Sequence, residues 1–119
     1  MHDETTLAAR AAALDLIEAV LTRHIPFDDA LDAHKGMKAL EPRDRAFVRA
    51  LAATVFRRLG QIDALIQASL AKPGDQLKAP VQNLLRLGVA QLLFLDTAPH
   101  AAVDTTVDLA VSRRQTPYK

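Results

Sequence analysis

The sequence predicts an all-α fold, a bundle of about six helices packed around a central apolar helix. Apolar residues recur at intervals of three and four along the chain, and no segment alternates as a half-buried strand would. Half of the 119 residues are hydrophobic but only 4% are aromatic, so the core must consist mostly of Leu, Val, Ile and Ala. Short joints separate the segments, which is typical of helices that pack against their neighbours in sequence.

Proline and glycine mark the limits of the helices in the first half of the chain. Pro26 closes the first helix, and Gly36 is expected to end the second. Pro42 suits the first turn of the third helix, because the N–H that proline lacks is not needed there, and Gly60 is expected to end this helix. The three helices are predicted over residues 6–23, 27–35 and 41–60.

The second half contains the most apolar helix. Residues 80–95 are apolar around almost the whole circumference, which is typical of a helix that is buried on all sides. We therefore expect this helix to be the central one, with Gly88 allowing a neighbour to approach closely. The Pro-Gly pair at residues 73–74 ends the preceding helix, and Pro99 opens the following one. The helices of this half are predicted over residues 62–71, 80–95 and 99–112.

Length, charge and composition restrict the class of protein. The chain is long enough for one domain with a core, which we assign to residues 1–112, with 113–119 as a polar tail. A net charge of +1 gives no overall basic field, so nucleic-acid binding would need a local patch. The lack of cysteine excludes disulfides, thiol nucleophiles and cysteine-ligated zinc. No apolar run reaches the roughly 20 residues that span a bilayer, and the acidic start is not a secretory signal, so we expect a cytoplasmic protein without a membrane partner.

Catalytic signatures are missing from the sequence. It contains no glycine-rich phosphate loop, no paired carboxylates and no nucleophile beside a base, so no catalytic residue is predicted. His100, Asp104 and Asp108 lie one helical turn apart, a spacing that could hold a metal ion. The simpler interpretation is that these residues lie near a helix start, where a carboxylate favours the positive end of the dipole. We predict no metal site.

Two charged residues fall on apolar helix faces. Arg10 points between Leu7 and Leu14, and Asp44 points the same way as Phe47. Because a buried charge needs a partner, one hypothesis is that Arg10 and Asp44 pair across the first and third helices. Alternatively, Asp44 bonds the start of its own helix, and the guanidinium of Arg10 reaches water from the helix end.

Arginine on outer helix faces is the better functional lead. Arg45 and Arg49 lie one turn apart on the outer face of the third helix, and Arg57 is near its end. The planar guanidinium suits phosphate because it donates two hydrogen bonds at once, although cations at helix ends also favour the dipole without any ligand. No aromatic side chains are interleaved with the arginines, so stacking of single-stranded bases is not indicated. The candidates for phosphate contact are Arg45, Arg49, Arg57, Arg113 and Arg114.

Three blocks of the sequence resemble a known domain family. The first is Arg-Ala-Ala-Ala-Leu-Asp-Leu-Ile-Glu-Ala-Val-Leu at residues 10–21, and the second, at 44–66, begins Asp-Arg-Ala-Phe-Val-Arg-Ala-Leu. The third is Leu-Arg-Leu-Gly-Val-Ala-Gln-Leu-Leu-Phe-Leu at 85–95, followed by Pro-His-Ala-Ala-Val-Asp at 99–104. Together they resemble the NusB-like helical domain, and more closely that domain at the N-terminus of the RsmB/Sun (Fmu) family of 16S rRNA (cytosine-5) methyltransferases.

The resemblance implies an RNA-binding domain that positions 16S rRNA for a catalytic domain absent from this chain. In such proteins the second domain binds S-adenosylmethionine and uses cysteine nucleophiles. We therefore expect no cofactor in this chain and S-adenosylmethionine in the full-length protein. The implied partners are RNA and the protein's own C-terminal methyltransferase domain, and DNA is not specifically indicated. NusB relatives meet RNA through an arginine-rich N-terminal segment, to which Arg10 is the one match, so Arg10 joins the candidate RNA-binding residues.

The end of the chain departs from the family pattern. In the family, Pro-Tyr-Lys at residues 117–119 would lead into another helix, so we expect this chain to be a fragment of a longer protein. Two alternatives in function remain open. One is a transcription antitermination factor of the NusB type, which binds nascent RNA with a ribosomal-protein partner. The other is a docking domain that braces the catalytic domain without touching RNA.

Overall fold

The computed structural model of the chain describes residues 4–70, 72, 77–95 and 97–113, with side chains from residue 7 to residue 111 within these ranges. The regular structure in these ranges is entirely helical, which confirms the all-α prediction. The seven helices found there are α1 (Glu4–Leu21), α2 (Phe27–Ala33), α3 (Lys35–Ala39), α4 (Pro42–Arg57), α5 (Leu59–Ala68), α6 (Ala79–Phe94) and α7 (Pro99–Arg113).

The two glycines that were expected to end helices lie inside helices, so both of these predictions are wrong. The break falls before Gly36, where the backbone N–H of Met37 donates a hydrogen bond of 3.1 Å to the ring Nδ1 of His34 and thereby caps α3. Gly60 lies in the first turn of α5, which follows α4 after a single residue. A glycine inside a helix costs only about 1 kcal/mol relative to alanine. Tertiary packing can outweigh this cost, so glycine alone does not end a helix.

The centre of the bundle is α1 and not α6. α1 packs against α2, α3, α4, α6 and α7, and side chains such as Ala13 and Ile17 are fully buried. α6 packs on one side against α1, α4, α5 and α7, but Leu85, Leu92 and Leu93 on its other side are 36–56% exposed. The apolar pattern of α6 thus shows that the helix carries two apolar faces, although the described part of the chain covers only one of them.

Gly88 brings α6 and α7 close together, as its position in the sequence predicted. A Cβ atom at this residue would lie 3.2 Å from Oγ1 of Thr106 on α7. That distance is tighter than ordinary van der Waals contact, so a larger residue would push the two helices apart. The glycine therefore sets the spacing of the last two helices.

Arg10 pairs with Gln91 and not with Asp44, so the pairing hypothesis is wrong. Arg10 is only 7% exposed; its Nε donates a hydrogen bond to Oε1 of the fully buried Gln91, and its guanidinium carbon lies 4.8 Å from the centroid of the Phe47 ring. Burial lowers the pKa of Arg10. Asp44 is half-buried in the first turn of α4 and makes no ion pair or side-chain hydrogen bond to any described residue. Arg10 therefore joins α1 to both α4 and α6.

A second polar cluster joins α5 to α6. Both carboxylate oxygens of Asp63 accept hydrogen bonds from Arg86, at 2.8 and 2.9 Å, and Oδ1 also accepts one from Gln82 at 3.1 Å. The Arg86 guanidinium holds the pKa of the Asp63 carboxyl below its usual value. Arg86 also donates to Asn83, whose amide donates to Thr22 at the end of α1. These contacts fix the position of α6 relative to two other helices.

Candidate nucleic-acid interface

The outer face of α4 is cationic and carries no acidic residue. α4 buries Val48, Leu51 and Val55 against the core, and the rotation of about 100° per residue places the arginines on the opposite side. All residues of α4 are described, and none of its exposed positions is acidic. The exposed residues are Pro42, Arg43, Ala46, Arg49, Ala50 and Arg57.

The alanines on this face matter as much as the arginines. Ala46 and Ala50 lie between the exposed arginines and present only methyl groups. An extended phosphate backbone could therefore come close to the helix surface while the longer guanidinium side chains reach it from both sides. Arg43, Arg49 and Arg57 make no ion pair with any residue that the structure describes, so their charges are not neutralised within the chain.

Arg45 differs from the exposed arginines because one of its donors is used inside the protein. Its Nη1 donates a hydrogen bond to the backbone carbonyl of Leu40, the residue that ends α3. The side chain is half-buried, so its rotamer is restricted. The remaining N–H groups of the guanidinium stay available at the edge of α4.

Arg45 and Arg49 line a cleft of about 500 Å³ between α2, α3 and α4, which we call the α3 cleft. Its other lining residues are Leu31, Asp32, Met37 and Lys38. Sequence reasoning missed Lys38, because residues 36–39 were expected to lie outside any helix, and it missed Asp32, because the meeting of α2 with α3 and α4 was not predicted. These two residues line the same cleft only because α3 packs beside α2 and α4. No signal in the sequence predicted α3 or its direction.

The remaining sequence-predicted candidates do not share this surface. Arg10 is buried among Gln91 and Phe47 and does not lie on the surface of the bundle. Arg113 is the last residue of α7, with its side chain outside the described part, and Arg114 lies outside the described residues altogether. The structure therefore brings together Arg45, Arg49 and Arg57 on one helix and leaves Arg10 apart from them.

No metal-binding constellation or membrane-spanning helix occurs in the described part of the chain. No group of three or more His, Asp or Glu side chains lies close enough there to hold a metal ion. His100, Asp104 and Asp108 are all exposed on α7. None of the helices with described residues is both long and apolar enough to cross a bilayer.

A second exposed surface is apolar and lies on α5, α6 and α7. All the large hydrophobic side chains that are exposed in the described residues belong to it, and we call it the α6 apolar face. Two shallow grooves run beside α6, one of about 440 Å³ against α5 and one of about 200 Å³ against α7. The exposed residues of this face are Leu65, Leu85, Leu92, Leu93, Val103, Val107 and Val111.

The chain belongs to the NusB family, whose model matches residues 7–119. This match covers α1 from residue 7 onward, all of α2 to α7, and both exposed surfaces described above. The fold, the family and the sequence resemblance therefore agree.

The chain is similar to proteins that are named as methyltransferases; of three such relatives, two are named for ribosomal RNA and one carries a methyltransferase name without a stated substrate. The chain is 35% identical over 80 residues to the ribosomal RNA small subunit methyltransferase B of Sodalis glossinidius. This alignment covers 67% of the chain and 18% of that protein. It is 30% identical over 110 residues to the protein of the same name in Escherichia coli, covering 92% of the chain and 25% of the relative. A Mycobacterium tuberculosis protein that carries a methyltransferase name is 35% identical over 102 residues, which is 86% of the chain and 22% of that protein.

The chain thus spans about a fifth to a quarter of the length of these relatives. No solved structure matches it.

Proposed function

We propose that this chain is the RNA-binding domain of a methyltransferase that acts on small-subunit ribosomal RNA, and that the outer face of α4 contacts the RNA backbone. The observation that carries the proposal is the row of exposed arginines on α4, in a chain of the NusB family whose relatives are named for ribosomal RNA methylation. The domain would hold 16S rRNA in the cytoplasm while a separate catalytic domain transfers the methyl group.

The charge distribution supports a local contact and not a general attraction. The net charge of the chain is only +1, so long-range steering of RNA is weak. The arginines of α4 are nevertheless free of acidic neighbours on their own face. Each phosphate that is neutralised on single-stranded RNA makes the slope of log affinity against log salt more negative by about 0.7. Three arginines that each contact one phosphate would contribute a slope of about −2.

The salt dependence of binding tests this proposal. The chain is titrated with fragments of small-subunit rRNA at several salt concentrations, and the double variant R49A/R57A is compared with R23A. Arg23 is exposed at the end of α1 and has no ion pair among the described residues, so R23A is a matched loss of charge elsewhere. We expect R49A/R57A to make the slope shallower by about 1.4 and R23A to leave it unchanged. Absence of binding at low salt, or equal effects of the two variants, would reject the α4 interface.

The α6 apolar face supports a second role, which is docking of the rest of the same polypeptide. Exposed apolar side chains concentrated on one surface are typical of an interface, and the matched region is only 18–25% of the length of the relatives. We assign this face to the protein's own C-terminal methyltransferase domain. A NusB-type antitermination factor, which would work with a ribosomal protein, would instead end soon after residue 119. The length of the reading frame therefore separates the two possibilities.

A charge placed on the α6 apolar face tests the docking role. Leu92 is 40% exposed, so L92K should leave the stability of the isolated chain nearly unchanged. In the full-length protein it should lower the melting temperature or speed proteolysis between the domains, because a lysine would be buried against an apolar partner. A50K, on the exposed face of α4, is the control and should have neither effect. Equal destabilisation by L92K in both forms would mean that Leu92 stabilises the bundle and not an interface.

A further inference from the structure

We infer that the α3 cleft binds one nucleotide of single-stranded RNA, with its phosphate on Lys38, Arg45 and Arg49 and its ribose 2′-hydroxyl on Asp32. The inference rests on the proposed function and adds to it a defined subsite and a basis for preferring RNA to DNA. The cleft lies beside the outer face of α4, since Arg49 belongs to both surfaces. An RNA strand bound along α4 would therefore pass the opening of the α3 cleft.

The charges in the cleft fit a phosphodiester. Three cations and one carboxylate line it, so one bound phosphate leaves a small positive balance. Lys38 and Arg49 form no ion pair and Asp32 no hydrogen bond or ion pair within the described residues. The opposite charges thus face one cleft without neutralising each other, and each remains able to bind a ligand.

The position of Arg45 is fixed before any ligand arrives. Its Nη1 is held by the carbonyl of Leu40, which leaves its other N–H groups for the ligand. A guanidinium whose rotamer is already restricted loses less conformational entropy when it binds phosphate. The hydrogen bond from Arg45 to Leu40 therefore favours binding of the phosphate at one defined position. It does not merely add to non-specific electrostatic attraction.

The size and the apolar wall of the cleft suit a sugar-phosphate unit. Its volume of about 500 Å³ falls within the range of small-ligand pockets, which is about 300–1,000 Å³. Met37 is 3% exposed and Leu31 is half-buried, so both give the cleft an apolar wall. No aromatic side chain lines the cleft, so recognition through the backbone and not through base stacking is expected.

Asp32 is the residue that points to RNA. A carboxylate repels phosphate, and this repulsion is offset only if the carboxylate accepts a hydrogen bond from a donor on the same ligand. The ribose 2′-hydroxyl is such a donor close to the phosphate, and DNA lacks it. Asp32 would then lower affinity for DNA by repulsion and raise affinity for RNA by accepting this hydrogen bond.

The test compares RNA with DNA on identical bases. Fluorescence anisotropy measures the affinity of the chain for 12-residue oligo(U) and oligo(dU), for the wild type and for D32A, K38A and D28N. D28N removes one negative charge from an exposed position on α2 that does not line the cleft. Circular dichroism confirms that each variant is folded.

We expect the wild type to bind oligo(U) about tenfold more tightly than oligo(dU), as one hydrogen bond to a charged group allows. D32A should reduce this ratio to near one, because it weakens RNA binding by losing the hydrogen bond and tightens DNA binding by removing the repulsion. D28N should raise both affinities equally and keep the ratio, and K38A should weaken both ligands equally and make the salt slope shallower by about 0.7.

Four results would overturn the inference. A wild-type ratio near one would show that the cleft does not detect the 2′-hydroxyl. A D32A variant that binds both ligands more tightly by the same factor would show that Asp32 only repels phosphate. R49A/R57A could make the slope of log affinity against log salt shallower on rRNA while K38A and D32A have no effect. In that case the α4 interface stands and the subsite alone is rejected. If the wild type binds no RNA at all, both are rejected.

Discussion

The hydrogen bond between Arg10 and Gln91 makes a specific prediction about stability. Arg10 on α1 and Gln91 on α6 are 81 positions apart and both are buried. We consider R10M, Q91L and the double variant R10M/Q91L. Met and Leu are close in length or volume to the residues they replace, so the main change is the loss of polar groups and not the opening of a large cavity.

The expected magnitudes follow from the contacts. R10M loses a hydrogen bond to a charged group and a cation–π contact with Phe47, and it leaves the Gln91 carbonyl oxygen without this donor; we expect a loss of about 2–3 kcal/mol. Q91L leaves a buried guanidinium without this acceptor, and the loss should be about 2–4 kcal/mol. In the double variant no polar group of the pair is left unpaired, so its loss should fall below the sum by at least about 1 kcal/mol.

Urea denaturation followed by far-ultraviolet circular dichroism measures the free energy of unfolding of all four proteins. The slope with denaturant should stay constant, because the surface exposed on unfolding changes little. F47L is a useful control, since it removes the ring but keeps the hydrogen bond, and should cost about 1 kcal/mol through the lost cation–π contact and packing. If the effects of R10M and Q91L add to within about 0.5 kcal/mol, the two residues do not act as a pair and the reasoning fails.

Two further predictions concern the α5–α6 and α6–α7 contacts. Because the pKa of Asp63 is lowered in the folded state by Arg86, its carboxylate contributes stability above the unfolded pKa of about 3.9, and this contribution is lost as the pH falls through the folded pKa. D63N should therefore cost about 1 kcal/mol at pH 7, and the difference from wild type should shrink as the pH falls through the lowered folded-state pKa of Asp63; a gap that stays constant in acid would contradict the ion pair. A Cβ at Gly88 meets α7 at 3.2 Å, whereas one at Gly60 meets no atom within 4 Å. G60A should therefore stabilise by up to about 1 kcal/mol through helix propensity, while G88L should destabilise by about 1–3 kcal/mol. Equal thermal denaturation midpoints for G60A and G88L would show that Gly88 does not set the helix spacing.

Local sequence features predicted local structure correctly. Pro42 opens α4 because a residue without an N–H fits only the first helical turn. Gly88 marks a close helix contact because only a missing side chain allows it. The outward direction of Arg49 follows from the periodicity of the buried residues on the same helix. Each of these properties depends on residues within one or two turns of each other.

Apart from the helix ends assigned to Gly36 and Gly60, the errors arose where the answer depended on residues far away in sequence. The apolar pattern of residues 80–95 predicted the helix, but it did not indicate whether another element covers the second apolar face of this helix. In the structure, Leu93 on that face is 56% exposed. Arg10 was correctly expected on an apolar face, but its partner Gln91 comes from another helix. The α3 cleft likewise requires α2, α3 and α4 to meet, which no single segment specifies.

The sequence alone therefore determined the all-α class, most helix limits, the family resemblance and the arginines on the outer face of α4. Only the tertiary structure decided that α1 is the central helix, that Arg10 pairs with Gln91, and that Lys38 and Asp32 share a cleft. The physical reason is one of range. Helix periodicity and capping act over a few residues, whereas burial and pairing depend on which faces of distant helices meet.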